Sequence, residues 1–479
     1  MLFNSLEFAI FFPLVATLYF VIPQRWRTPM LLVASCVFYM AFIPAYILIL
    51  AVTILIDYTA GIYLIRVPGR WKLLLLWISI AATCAVLFIF KYYNFFNDNF
   101  VGLAGLAGWE LSPSTFHIIL PIGLSFHTFQ SLSYVVEVYR GRQKPEYSLV
   151  TYATYVMFFP QLVAGPIERP QNLLHQFDEK HQFDYERVTS GLKRMAWGFF
   201  KKLVIADRLA LYVNDVYAAP HNFNGLQLTI ATLFFAYQIY CDFSAYSDIA
   251  IGSARVLGFK LMENFDTPYY SRSISEFWRR WHISLSSWFR DYLYVPLGGS
   301  RVPKWRWSFN LLVTFAISGL WHGANWTYVV WGLLNGLYLV MSGLTSNLRR
   351  TAMDGVGLPE TSVLRKMLQV IVTFGLVCIG WIFFRAQNLN DALYILGHFW
   401  TNWDFRAIGT EQFLLRQMPV AIAAIAILEI GQFLHGRVSF SSLTIRVPMV
   451  VRWTGYAAFM MAVVLFGVYR ETQFIYFQF

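Results

Sequence analysis

Long apolar runs, bounded by charged residues or prolines, recur along this chain and restrict the folds open to it. Examples are 73–90, 369–384 and 453–469, and most such runs approach the roughly 20 residues that a membrane-spanning helix needs. Charged residues make up only 13% of the sequence, against about 25% in soluble domains. We therefore predict an all-α, polytopic membrane protein with about ten to twelve membrane segments, forming one membrane-embedded domain over residues 1–479.

Basic residues lie mainly between the apolar runs and do not form a separate soluble face. A formal net charge of +11 can indicate a nucleic-acid partner, but Lys and Arg also accumulate in the cytoplasmic loops of membrane proteins. The basic groups at 25–27, 66–72 and 140–144 are spaced so that two membrane crossings fit between each group and the next. The pattern predicts an outward-facing N-terminus, contact with membrane lipid and no nucleic-acid partner.

Residues 255–306 form a basic segment with nine Lys or Arg residues against four acidic ones, which predicts a location on the cytoplasmic side. Ser273 and Glu276 have the spacing of a capping box, and aromatic residues follow at helical intervals as far as Tyr292. We predict one amphipathic helix that begins at Ser273 and lies at, or dips into, the membrane interface with its aromatic face.

The same segment contains candidate substrate-contacting residues. A guanidinium group matches the geometry of phosphate, so Arg279, Arg280 and Arg290 are candidate ligands of an anionic substrate, with lipid headgroups as the alternative partner. We add the neighbouring Asp291 to these candidates. His282 is either an interfacial anchor or part of a reaction centre, and the sequence pattern favours neither.

Residues 309–344 are apolar over 36 positions, too many for one span and rather few for two complete spans with a loop. Small and polar residues between Ser318 and Asn325 predict a break in the helix. At membrane depth, non-helical backbone is tolerated only beside protein or a water-filled cavity. We therefore predict a broken or re-entrant helix pair with His322 on a cavity wall.

His322 is either a hydrogen-bonded packing residue or a catalytic base. Ionisable residues at bilayer depth usually mark a pathway or a reaction centre, and a neutral imidazole can accept the proton of a hydroxyl group. Asn325 could orient this ring, stabilise an oxyanion or simply pack, and the adjoining Trp321 is a further candidate for substrate contact. The spacing of the histidines predicts no metal site.

Two carboxylates, Asp242 and Asp248, end another long apolar run. Carboxylates near bilayer depth usually pair with a cation or face a cavity. We predict structural pairing of these aspartates with an arginine of the next segment.

Long sequence motifs are distributed over nearly the whole chain. They are PIGLSF at 121–126, FPQLVAGPIER at 159–169, YCDFSAYSD at 240–248, SISEFWRRWH at 273–282, RDYLYVPLGG at 290–299, LWHGAN at 320–325 and FIYFQF at 474–479. These motifs resemble those of the membrane-bound O-acyltransferase family, and within it the bacterial alginate O-acetyltransferase branch.

This resemblance implies a multi-span helical fold around a central funnel. His322 occupies the position of the family's catalytic histidine, and His282, 40 positions earlier, that of its second signature residue. The resemblance further implies transfer of acetyl from a cytoplasmic donor, acetyl-CoA, toward an extracytoplasmic polysaccharide such as alginate, without a bound cofactor. A periplasmic protein would complete delivery from the bacterial inner membrane. Cellulose, peptidoglycan and other cell-envelope polymers remain alternative acceptors.

Two other classes of protein are also compatible with these features. A transporter or channel would use a broken helix, intramembrane histidines and a charged vestibule. A membrane scaffold would instead recruit a periplasmic enzyme. Only the transferase should lose acetylated product when His322 is replaced by alanine.

Overall fold

The computed structural model describes residues 1–109, 111, 121–406, 412–435, 448–469 and 474–475. Within these ranges the regular structure is entirely helical, which confirms the predicted all-α class. The helices are α1 (Leu6–Val21), α2 (Gln24–Met40), α3 (Ile47–Leu64), α4 (Gly69–Leu87), α5 (Tyr93–Leu106), α6 (Leu124–Tyr139), α7 (Leu149–Met157), α8 (Pro170–Leu173), α9 (Tyr185–Phe199), α10 (Asp207–Ala218), α11 (Gly225–Leu257), α12 (Ile274–Arg280), α13 (Ile283–Phe289), α14 (Lys304–His322), α15 (Trp326–Leu344), α16 (Ser346–Gly355), α17 (Val363–Arg385), α18 (Leu389–His398), α19 (Gln412–Arg416), α20 (Met418–His435) and α21 (Met449–Phe466).

Several helices are long and apolar enough to cross a membrane. Among the described residues five satisfy both criteria: Pro44–Leu64, Gly69–Leu106, Trp326–Leu344, Val363–Arg385 and Met449–Phe466. Two shorter apolar helices, Leu6–Val21 and Met418–Leu434, accompany them. The polytopic membrane class is thus confirmed, and the count of ten to twelve segments stays a prediction.

Helices α14 and α15 form the predicted broken pair as a tight helical hairpin. Only residues 323–325 separate them, so Ser318 and Gly319, which we placed in the break, are helical. A Cβ atom on Gly319 would lie 2.2 Å from the Tyr328 carbonyl oxygen, and one on Gly332 would lie 2.2 Å from that of Phe315. Small residues at this contact let the two backbones approach closely.

The basic segment differs from its prediction in the continuity of its helix. Ser273 caps a helix as expected, since its hydroxyl accepts the Glu276 N–H at 3.2 Å. The helix ends after seven residues, however, and α13 begins only after an interruption at Trp281 and His282. Trp281 and Trp288 of the predicted aromatic face are only 1% and 9% exposed, so these two rings pack against other parts of the protein. The prediction of one continuous helix was therefore wrong, and its location at the membrane interface stays a prediction.

The two aspartates of α11 are paired, but their partners precede them in the chain. Asp248 binds Arg194 at 2.9 Å and Lys201 at 2.6 Å, and Asp242 binds Lys202 at 2.6 Å. Structural pairing is confirmed, whereas the prediction of an arginine from the next segment was wrong. These ion pairs join α11 to α9 and to the π-helical turns 200–206 that follow α9.

Candidate active site

His322 is the last residue of α14, immediately before the turn of the helical hairpin. Gly323 follows with extended backbone, and a Cβ atom at position 323 would lie 2.2 Å from the Tyr328 ring. Only glycine fits this contact, and it allows the chain to leave the helix directly after the histidine. The His322 side chain is 5% exposed, enclosed by the rings of Trp331 at 5.0 Å and Phe384 at 5.3 Å between centroids.

His282 lies in the interruption between α12 and α13, where its backbone has φ 45° and ψ 54°. This left-handed conformation is costly for a residue with a Cβ atom and persists only when surrounding contacts enforce it. Asn264 supplies two of these contacts: its carbonyl oxygen accepts the Ile283 N–H at 2.9 Å, and its Oδ1 accepts the Ser284 hydroxyl at 2.9 Å. The His282 ring is thereby held against Phe243, with centroids 4.5 Å apart.

The two candidate catalytic histidines converge although one ends α14 and the other lies between α12 and α13. Their ring centroids are 6.5 Å apart, and His282 is 1% exposed. The Trp321 ring adjoins both, at 6.3 Å from His282 and 4.9 Å from His322. The structure therefore brings together three of the residues that the sequence singled out, at the break that the sequence located.

An aromatic stack connects the basic segment to this site. Trp288 of α13 stacks on Phe129 with centroids 3.8 Å apart and planes 6° apart, and Phe129 stacks in turn on Trp321 at 5.2 Å. The Trp288 indole N–H also donates to the Phe129 carbonyl oxygen at 2.9 Å. Stacked aromatic pairs contribute about 0.5–1.5 kcal/mol beyond their burial. The aromatic face predicted to contact lipid thus supports Trp321 and, through it, the backbone at His322.

Asn325 serves as a helix cap in this structure. Its side-chain oxygen accepts the Thr327 N–H at 3.0 Å, and its amide nitrogen donates to the Gln387 carbonyl oxygen at 3.1 Å. Both ends of the amide are thus used to begin α15 and to join it to the chain after α17. This favours the packing alternative for Asn325 over the orientation of His322.

The candidate anion-binding residues form local pairs at the exposed side of the segment. Arg280 binds Glu276 at 2.8 Å and Arg279 donates to the Ser275 hydroxyl at 3.2 Å. Arg290 donates to Asp291 at 2.7 Å, and this hydrogen bond raises the pKa of Arg290 above its ordinary value. Asp291 also lies 3.6 Å from Arg169. Their contact with substrate stays a prediction.

Two residues near the histidines were missed by the sequence analysis. Asn264 carries no local signal, because its partners become neighbours only in the fold. Lys91 directly follows the apolar run 73–90, and we interpreted it as the boundary of a span. The structure places it inside the continuous helix Gly69–Leu106, with its ammonium group 2.7 Å from the Trp321 carbonyl oxygen. A charge within an apolar helix was the signal that could have identified it.

Replacing His282 with glycine and with alanine should separate backbone strain from chemistry. Glycine adopts positive φ without steric cost, so His282→Gly should be more stable than His282→Ala by about 1 to 2 kcal/mol. Both variants lack the imidazole and should lose acyl transfer to the same extent. Thermal denaturation in detergent and an acyl-transfer assay measure the two quantities. Wild-type transfer by His282→Gly would show that the ring has no part in the reaction.

Comparison with known proteins identifies the family to which this chain belongs. The model of MBOAT, the membrane-bound O-acyltransferase family, matches residues 142–384, which include both histidines. The chain belongs to this family and is a membrane-embedded O-acyltransferase.

Three relatives are similar to this chain over most of its length. The probable alginate O-acetylase AlgI of Pseudomonas putida is 37% identical, covering 90% of this chain and 87% of the relative. The probable alginate O-acetylase AlgI of Pseudomonas aeruginosa is 39% identical, covering 82% of this chain and 73% of the relative. The peptidoglycan O-acetyltransferase of Helicobacter pylori is 34% identical, covering 83% and 79%.

Proposed function

We propose that this chain transfers an acetyl group from a cytoplasmic thioester donor, acetyl-CoA, to a hydroxyl acceptor for the O-acetylation of an extracytoplasmic polysaccharide such as alginate. The convergence of His282 and His322, with centroids 6.5 Å apart, carries this proposal. Two imidazoles lie together at a helix break, and we propose that the reacting hydroxyl and the thioester carbonyl meet beside them. The similarity to two alginate O-acetylases supports the choice of polymer.

His322 acts as the general base in this proposal. Its neutral ring takes the proton of the acceptor hydroxyl while the hydroxyl oxygen attacks the thioester carbonyl carbon. The π-electron pair of the carbonyl group moves to the carbonyl oxygen, which becomes the oxyanion. When the tetrahedral intermediate collapses, the carbon–sulfur bond breaks and the thiolate receives the proton from the imidazolium. His282 polarises or positions the reacting groups beside it. General-base assistance of this kind contributes about 10²- to 10⁴-fold in rate.

The basic segment 255–306 receives the donor. Arg290 has a side chain that is 63% exposed, and Arg279 is also exposed, so both are accessible to the phosphates of a nucleotide-bearing thioester. The stack of Trp288, Phe129 and Trp321 connects this face to His322. In this proposal the segment lies on the cytoplasmic side, which its excess of basic residues favours, and the protein lies in the bacterial inner membrane.

In this proposal a second protein takes part in product delivery on the other side of the membrane. Alginate lies outside the cytoplasm whereas acetyl-CoA lies within it, so the acetyl group crosses between the two compartments. We propose that a periplasmic protein accepts the acetyl group or completes its transfer to the polysaccharide.

The proposal is tested by measuring ester-linked acetate on secreted polysaccharide and on peptidoglycan from a strain that lacks this gene. Acetate should disappear from the secreted polysaccharide and return on complementation with the wild-type gene. Unchanged acetate on both polymers would contradict the proposal.

Peptidoglycan is the second candidate acceptor, favoured by the similarity to the Helicobacter pylori enzyme. In that case the same strain should lose acetate from the cell wall while its secreted polysaccharide stays acetylated. The two measurements on one strain therefore distinguish the acceptors.

A further inference from the structure

Lys91 contacts the end of the helix that carries His322. Its ammonium group donates to the carbonyl oxygens of Trp321 at 2.7 Å and His322 at 3.1 Å. These are the last two residues of α14, and the final carbonyl groups of a helix have no partner within the helix. A cation at this end also interacts favourably with the helix dipole. Lys91 thus supplies from another helix the hydrogen bonds that α14 cannot make for itself.

The local backbone places Lys91 at this contact. Residues Phe88–Tyr92 form a π-helical turn between α4 and α5, and such turns occur frequently at functional sites. The ammonium group also lies 5.8 Å from the centroid of the Trp321 ring and 3.5 Å from the Ser125 hydroxyl. A lysine within an apolar helix is costly and usually functional. Its contacts here converge on the residues around the helix break.

The contacts of Lys91 fix the backbone at His322. The residue after it, Gly323, makes only a long backbone hydrogen bond of 3.4 Å to Gly319, so the end of α14 is weakly fixed by the helix itself. Two hydrogen bonds from Lys91 fix the peptide groups on either side of the His322 Cα atom. The direction of the Cα–Cβ bond, and with it the position of the imidazole, follows from those peptide groups.

We propose that Lys91 is a positioning residue, whose ammonium group binds the terminal carbonyl groups of α14 and fixes the imidazole of His322 at the helix break. This inference rests on the proposed function in so far as its effect is measured through acetyl transfer. Lys91 orients the His322 imidazole and does not bind the donor, so the loss of Lys91 should lower kcat and leave KM for the donor unchanged. A displacement of about 1 Å at a reacting group can cost about 10²-fold in rate.

The test compares Lys91→Met, Lys91→Arg and the matched control Lys72→Met in purified full-length protein. Lys72 lies on α4, near the opposite end of the same long helix, with its ammonium group 5.1 Å from the Tyr139 ring centroid. We expect Lys91→Met to lose about 10²-fold in kcat at unchanged KM, Lys91→Arg to recover most of that loss because it retains a charged donor, and Lys72→Met to match the wild type. Lys91→Gln, neutral and polar, replaces Lys91→Met if that variant does not fold.

Backbone amide hydrogen exchange gives a second measurement that does not depend on activity. Exchange in residues 321–327 should be faster in Lys91→Met than in the wild type and in Lys72→Met. Wild-type kcat and wild-type exchange in Lys91→Met would overturn the inference. Faster exchange in that variant, together with no acetyl transfer by the wild type, would uphold the role of Lys91 and contradict the proposed function.

Discussion

Replacing His322 with alanine or glutamine should lower acetyl transfer by about 10²- to 10⁴-fold, the contribution expected of a general base. The side chain is 5% exposed and lies at the hairpin turn beside His282. Glutamine retains much of the volume and hydrogen-bonding capacity of histidine but cannot accept a proton near neutral pH. Loss of the base should therefore lower the rate of acetyl transfer at a saturating donor concentration, while the protein remains folded.

The measurement is ester-linked acetate formed by purified protein, or on exported polymer in the complemented deletion strain. His221→Ala is the matched control, because its ring is exposed on the short 3₁₀ helix Pro220–Asn222, where it lies 3.5 Å from Asp391. It should retain wild-type transfer. Undiminished acetylation by His322→Gln would remove His322 from the chemistry and would favour the scaffold, in which a recruited periplasmic enzyme performs the transfer.

Replacing Lys202 with methionine should be strongly destabilising. Its ammonium group lies between Asp242 at 2.6 Å and Asp207 at 2.9 Å, and the Lys202 side chain is 1% exposed. Asp242 also accepts the Ile475 N–H at 2.6 Å, so the cluster fixes a residue near the C-terminal end. Removing the shared cation leaves the negative charges of Asp242 and Asp207 without the compensating charge of Lys202. Breaking a buried ion pair in this way costs about 3 to 5 kcal/mol.

The free energy of unfolding can be measured by reversible denaturation in mixed micelles. Lys180→Met, at an exposed position before α9, is the control and should change stability by no more than about 0.5 kcal/mol. Adding Asp242→Asn to Lys202→Met removes one uncompensated charge and should recover part of the loss. A Lys202→Met protein as stable as the control would mean that the buried cluster contributes no net stability.

The candidate active site shows how much of the structure local sequence patterns predict. The motif around Trp321 and His322, within an overlong apolar run, predicted a helix break and a reaction centre, and the break occurs at 323–325. His282 was identified by resemblance. Its left-handed backbone was not foreseen, because the capping signal at Ser273 and the helical periodicity after it are local. The contacts of Asn264 that enforce the interruption come from outside that helix.

The buried charged residues show what the sequence could not predict. The sequence predicted correctly that Asp242 and Asp248 are paired, because isolated charges at that depth are costly. It could not select Lys201 and Lys202 as their partners, because pairing depends on which helix lies beside α11. Lys91 was similarly taken for a span boundary, since a charge that ends an apolar run and one that enters the interior look alike in sequence.

The sequence by itself determined the helical membrane class, the break next to His322 and the two histidines, because apolar run length and long motifs are encoded in consecutive residues. The tertiary structure alone decided that those histidines meet, that Trp288 and Phe129 support Trp321, and that Lys91 holds the end of α14. The physical reason is that these contacts join residues far apart in the chain. The distances between these residues depend on how the helices pack, and neither hydrophobic periodicity nor motif spacing in the sequence encodes that packing.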